Sequence, residues 1–233
     1  MPSTAPGAAS GRDDPSPQRG WRLPASLLAV FLVAMLVSGI APHYRQDWLM
    51  ENVLVLLTLA VLVAGFRRRR FSNASYAALF GFLLLHELGA HYTYAEVPWD
   101  RWFSALFGFS LNDAWGASRN HFDRAIHFAY GLLVTPLAVE LAARRTAPRG
   151  AWYWIVPVSL MTASSAVYEL FEWGAAVCFG GDLGVAYLGT QGDPWDAQQD
   201  MFLALLGSVA AVAVLAAAVV FRCPRKFPGA DSR

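Results

Sequence analysis

Residues 197–221 read AQQDMFLALLGSVAAVAVLAAAVVF, and from Met201 to Phe221 no charged residue interrupts the run. About 20 apolar residues carry a helix across the hydrocarbon core of a bilayer, so this stretch predicts a transmembrane helix. Five earlier runs have the same character: residues 23–41, 48–66, 74–92, 122–142 and 152–177. Each is predicted to be helical, because a helix satisfies its own backbone groups in lipid. The fold class is therefore all-α, a polytopic membrane protein with about six transmembrane helices in one bundle. The composition agrees, at 56% hydrophobic and 15% charged with mean hydropathy +0.37. An average soluble protein is about 45–50% apolar and about 25% charged.

Outside the bundle (residues 21–222), residues 1–20 are rich in Pro, Ala, Gly and Ser and are predicted to be a disordered tail. Residues 223–233 form a short basic tail. The first run ends Gly39-Ile40-Ala41-Pro42 and resembles a cleavable signal, but it is long for one and is read as a retained anchor.

The basic residues orient the chain. Placing the N-terminus in the cytoplasm puts Arg12, Arg19, Arg22, Arg67 to Arg70, Arg144, Arg145, Arg149, Arg222, Arg225, Lys226 and Arg233 on the inside. Only Arg45, Arg101, Arg119 and Arg124 remain outside. The positive-inside rule then predicts that both termini are cytoplasmic. A net charge of +1 gives no basic footprint, so nucleic acid is not an expected partner. Cys178 and Cys223 fall on opposite sides and are not expected to pair.

Ionisable side chains within apolar runs are costly to insert, and each needs an account. His86, Glu87 and His91 end the third run, while His121, Asp123 and His127 open the fourth. Glu169 and Glu172 lie in the fifth run, and Asp193, Asp196 and Asp200 precede or enter the sixth. On the orientation above, all lie toward the extracytoplasmic side. Residues four apart on a helix are separated by about 40° and those three apart by about 60°. Glu87 with His91, Asp123 with His127, Glu169 with Glu172, and Asp196 with Asp200 thus form four pairs on four helices.

Carboxylates and imidazoles converging in a bundle core are how di-metal carboxylate proteins are built, though their motif is Glu-x-x-His rather than the Glu-x-x-x-His found here. A single zinc-like or manganese-like divalent ion fits as well. The expected ligands are Glu87, His91, Asp123, His127 and Asp200, with Glu169 or Glu172 as the catalytic base. A metal lowers the pKa of bound water to about 7, and the chemistry expected is hydrolysis of a lipid or envelope substrate. A proton-coupled carrier, or a structural protein whose polar groups fix helix register, accounts for the same residues. Asp193-Pro194 also reads as a helix start, Glu140 as an ion-pair partner of Arg144, and Arg124 as a snorkelling or charge-neutralising cation.

Two loops remain. Residues 93–121 carry Tyr94, Trp99, Trp102, Phe103, Phe107, Phe109 and Trp115, which suits the headgroup level, with a short amphipathic helix expected over residues 99–107. Residues 179–193 hold five glycines but no Gly-Lys-Ser/Thr, so they read as turns, with Asp182 and Gln191 available at the mouth of a site; nucleotide binding is not expected.

Four strings, Gln46-Asp47-Trp48-Leu49-Met50-Glu51-Asn52-Val53-Leu54, Gly89-Ala90-His91-Tyr92-Thr93-Tyr94-Ala95-Glu96-Val97-Pro98, Arg119-Asn120-His121-Phe122-Asp123-Arg124 and Tyr187-Leu188-Gly189-Thr190-Gln191-Gly192-Asp193, resemble the YjdF family of bacterial inner-membrane proteins. The resemblance covers nearly all of residues 21–221. It implies a multi-pass inner-membrane protein and carries over no reaction and no catalytic residue.

Overall fold

The computed structural model describes residues 20–68, 70–181, 184 and 188–222. The expectations for the two tails, for Cys223, and for Asp182 and Tyr187 of the glycine-rich loop lie outside these residues. Among the described residues there are helices and no strand. They are α1 (Arg22–Ser38), α2 (Arg45–Gly65), α3 (Asn73–Tyr92), α4 (Trp99–Phe107), α5 (Leu111–Trp115), α6 (Phe122–Arg145), α7 (Trp152–Phe179) and α8 (Asp196–Arg222). The six apolar runs correspond to α1, α2, α3, α6, α7 and α8. By length and composition α2, α6, α7 and α8 can each cross a membrane, while α1 is apolar but 17 residues long. Helix α2 begins at Arg45, three residues ahead of the expected run, so Asp47 belongs to the helix.

Helix α6 is the hub of the bundle, packing against α3, α7 and α8, with α1 and α2 joining through α3. Its tightest neighbour is α8, because the crossing is made of small residues. A Cβ built on Gly131 would run into the Ala204 carbonyl, and one on Gly207 into the Phe128 carbonyl. Ala204 and Ser208 are fully buried beside them. Lipid supplies no hydrophobic drive between helices, so close backbone approach over small residues is what holds such a pair.

The far end of α6 is tied to the start of α3. The Glu140 carboxylate accepts hydrogen bonds from the Ser72 amide (3.0 Å) and the Ser75 hydroxyl (2.7 Å), and pairs with Arg144 at 2.8 Å. Ser72 in turn caps α3 by accepting from the Ser75 amide. Between α3 and α6, Thr93 and Tyr94 take positive φ and turn the chain into α4. Helix α4 covers the residues expected to be amphipathic, and Leu106 is 79% exposed on its outer face with Trp102 and Phe107.

Candidate functional site

The contact stripe between α6 and α8 continues outward into ionisable residues. On α6 it runs from Thr135 through Gly131 to His127 and Asp123, each four residues from the last. On α8 it runs from Ser208 through Ala204 to Asp200, with the same spacing. The close glycine crossing therefore places the two polar ends against each other. Asp123, His127 and Asp200 each offer a ligand atom, and these atoms lie within 4.8 Å of one another.

Helix α7 closes the third side. Met161, Ser165 and Glu169 form its buried stripe, and Glu169 Oε1 stands 3.7 Å from His127 Nε2, while Asp123 Oδ1 is 3.6 Å from the same nitrogen. Asp200 is 2% exposed and Glu169 9% exposed, yet Asp200 Oδ1 and Glu169 Oε1 have no hydrogen-bond partner within the protein. Buried polar atoms are nearly always satisfied, so two unsatisfied carboxylate oxygens beside one imidazole form a donor set suited to a cation. Glu172 lies beside Glu169 and Tyr168, within electrostatic reach of Glu51.

Glu87 and His91 are placed elsewhere. Glu87 Oε2 accepts from the Ser38 hydroxyl at 2.5 Å, and His91 Nδ1 is 2.7 Å from the Ser38 carbonyl oxygen, so both serve the seam between α3 and α1. The Trp48 indole also donates to the Ser38 hydroxyl. His86 bonds the Tyr94 hydroxyl through Nδ1. Of the five expected ligands, the structure brings together Asp123, His127 and Asp200.

A second buried polar layer, unremarked in the chemical reading of the sequence, comes from α2. Asp47, Glu51 and Asn52 are all buried, and the Tyr168 hydroxyl donates to Glu51 Oε2 at 2.9 Å. Asp47 and Glu51 stand four apart, the same spacing as the other pairs, but Asp47 lies just ahead of the expected run 48–66.

At the outer rim, Arg119 pairs with Asp196 at 2.7 Å and Arg124 with Asp193 at 2.5 Å. Asp193 also accepts from the Trp195 amide, capping the turn into α8. That hydrogen bond, with Arg124, holds its carboxyl below the usual range. Arg119 Nε and Nη2 and Arg124 Nε are buried without acceptors. Asn120 and Gln191 exchange amide hydrogen bonds of 2.9 and 3.0 Å, joining the two outer loops. Partial burial, and then the cations of Arg124 and Arg119, push the His121 imidazole below its ordinary pKa.

A cavity of about 330 Å³ opens from this cluster into the bundle. Asp123 and His127 form its polar end with His86 and Tyr94, and Leu79, Leu83, Ile126 and Val134 form apolar walls.

A family model described as "Predicted membrane protein (DUF2238)" matches residues 23–220. The chain is similar to the inner membrane protein YjdF of Escherichia coli (strain K12), 37% identical over 197 residues that cover 83% of this chain and 88% of that protein. No solved structure matches it.

Proposed function

The chain belongs to the DUF2238 family of predicted membrane proteins, and from that premise we propose that it is a metal-dependent hydrolase of the inner membrane acting on a lipid or envelope substrate. Family and relative alike describe a protein of the membrane, in the relative's case the inner membrane. Both termini are read as cytoplasmic from the distribution of arginines, which puts the polar cluster on the extracytoplasmic side.

The observation that carries the reading is the set of ligand atoms of Asp123, His127 and Asp200 within 4.8 Å, beside two buried carboxylate oxygens without partners. Carboxylate and imidazole ligands suit zinc or manganese. Such an ion would supply hydroxide near neutral pH. Asp123, His127 and Asp200 would hold it, and Glu169, 3.7 Å from His127, would take the proton of the attacking water or complete the ligand set. Arg119 and Arg124, within electrostatic reach of Asp123 and paired with Asp196 and Asp193, would favour a developing negative charge on the substrate.

A second reading has its own observation. The hydrogen bond from Tyr168 to Glu51 connects the cluster to the buried carboxylates of α2, and a chain of Asp, Glu, His and Tyr across several helices is the material of a proton relay. Metal content separates the two. Protein purified in mild detergent without chelator, assayed by plasma mass spectrometry, should carry near-stoichiometric zinc or manganese that is lost in His127→Ala and Asp200→Ala. Metal-free wild type that remains monodisperse overturns the hydrolase reading and favours the relay.

A further inference from the structure

The cavity beside the cluster opens on the outer surface of the bundle. Thr58 on α2 and Val167 and Phe171 on α7 line it and are also exposed on the outside of the bundle, Val167 at 50% and Phe171 at 55%. Helix α2 packs on α3 but not along α7. The Tyr168 to Glu51 hydrogen bond spans the gap between α2 and α7 near its outer end. Below it, toward the bilayer midplane, Leu54 and Thr58 face Ser164 and Val167 across the cavity.

The cavity has the dimensions of one lipid chain, with Asp123 and His127 at one end. From Asp123 to Val134 it follows 12 residues of α6, about 16 Å at the rise of a helix. That is close to half the ~30 Å hydrocarbon thickness, the depth of one leaflet. Taking a methylene as comparable to a water, about 30 Å³, the volume accommodates on the order of ten chain carbons. The walls are mostly apolar, broken by Thr58, Ser165 and the mutually hydrogen-bonded Tyr130 and Ser164, and the ionisable Asp123 and His127 stand at one end. Beyond this lining and within electrostatic reach of Asp123, Arg119 and Arg124 pair with Asp196 and Asp193 but keep buried N–H groups without acceptors, donors that suit an anionic head.

We propose that an anionic phospholipid enters sideways from the bilayer between α2 and α7, seating one acyl chain in this cavity and its phosphate at the Asp123, His127 and Asp200 cluster beside Arg119 and Arg124. The proposal names the substrate class of the hydrolase reading and rests on it for the chemistry at the head, but the seat for the chain stands on the cavity.

The full chain is reconstituted in vesicles containing phosphatidylglycerol with a diazirine midway along one acyl chain, irradiated, and mapped by peptide mass spectrometry. Adducts should concentrate on the segments around Leu54 and Thr58, Val134, and Ser164 to Val167. Trp at the mouth, Thr58→Trp or Val167→Trp, should fill the opening and lower those adducts by about tenfold; both positions face lipid, where Trp is tolerated. His127→Ala should keep the chain adducts while losing metal. Adducts spread evenly over exposed residues such as Leu36, Val61 and Val214, unchanged by either Trp variant, overturn the proposal. Cavity adducts in a wild type without metal support the lipid seat and overturn the hydrolase reading instead.

Discussion

Gly131 of α6 and Gly207 of α8 meet reciprocally: each lies where a side chain would collide with the other helix's backbone, Gly131 with Ala204 and Gly207 with Phe128. The same crossing brings Asp200 to Asp123 and His127 one to two turns away, so the packing and the polar cluster are one construction. Gly131→Ala and Gly207→Ala should each destabilise the protein by about 1–3 kcal/mol through overpacking, and should weaken metal binding by pushing Asp200 outward. Gly81→Ala and Gly174→Ala are the controls. Nothing lies within 4 Å of a Cβ at either position, and Ala is the better helix former by about 1 kcal/mol. Thermal unfolding in detergent compares all four; equal losses at all four would remove the special status of the crossing.

Tyr168 links two polar layers, and Tyr168→Phe deletes only its hydroxyl. The hydrogen bond to Glu51 should cost about 1–2 kcal/mol when removed, because the Glu51 carboxylate loses a donor while buried. Metal content should be unchanged, since Tyr168 is not among the proposed ligands. Unfolding temperature and plasma mass spectrometry on one preparation check both halves, and metal lost with the hydroxyl would make the two layers a single site.

Spacing along the chain revealed which ionisable residues share a helix face, but not which neighbour that face meets. Glu87 and His91 are aligned as expected on α3, yet the helix they turn to is α1, where Ser38 receives both. Nothing in the third run announces this, because a hydroxyl in an apolar run is an ordinary residue until its partner is known. Glu140 and Arg144 were legible because an i,i+4 pair is local; the Ser72 and Ser75 bonds to Glu140 were not, being 65 or more residues apart. The six apolar runs and the amphipathic helix α4 follow from composition and periodicity. The close approach at Gly131 and Gly207 required both helices at once.

The rim ion pairs are only partly exposed, with Arg119 at 12% and Asp196 at 5% of their side-chain surface. Arg119→Ala should therefore leave the Asp196 carboxylate only the longer 3.6 Å contact to Arg124, a loss below the about 3–5 kcal/mol of a fully buried pair but above the about 1 kcal/mol of a surface one. Asp196→Asn should cost less, because it removes the charge that needs a partner and keeps a hydrogen-bonding group facing Arg119. A double-mutant cycle of Arg119→Ala with Asp196→Asn measures the coupling, and additivity would dissolve the pair.

His121 precedes α6, and its imidazole is pushed below the ordinary value by burial and by Arg124 and Arg119. The folded chain then binds fewer protons at this residue than the unfolded chain near and below pH 6.5. Its contribution is complete above that pH and is lost as pH falls. His121→Gln removes the titration, so its unfolding temperature should fall less than wild type between pH 7 and pH 5. Parallel curves would show that His121 titrates alike in both states.

Asp200→Asn separates the cost of the charge from its use. Without a cation, Asp123, Asp200 and Glu169 crowd carboxyl groups around His127 in a buried space, and replacing one of them by a neutral amide relieves the cost of burying it there. Metal-free Asp200→Asn should therefore be more stable than metal-free wild type. With zinc or manganese in excess the order should reverse, because only wild type retains the full ligand set; at a hundredfold excess over the dissociation constant the bound ion adds about 2.7 kcal/mol. Unfolding temperatures of both proteins with chelator and with metal give four values whose crossing is the signature of a site. A variant more stable than wild type under both conditions would leave Asp200 a charge in the bundle without a metal to hold.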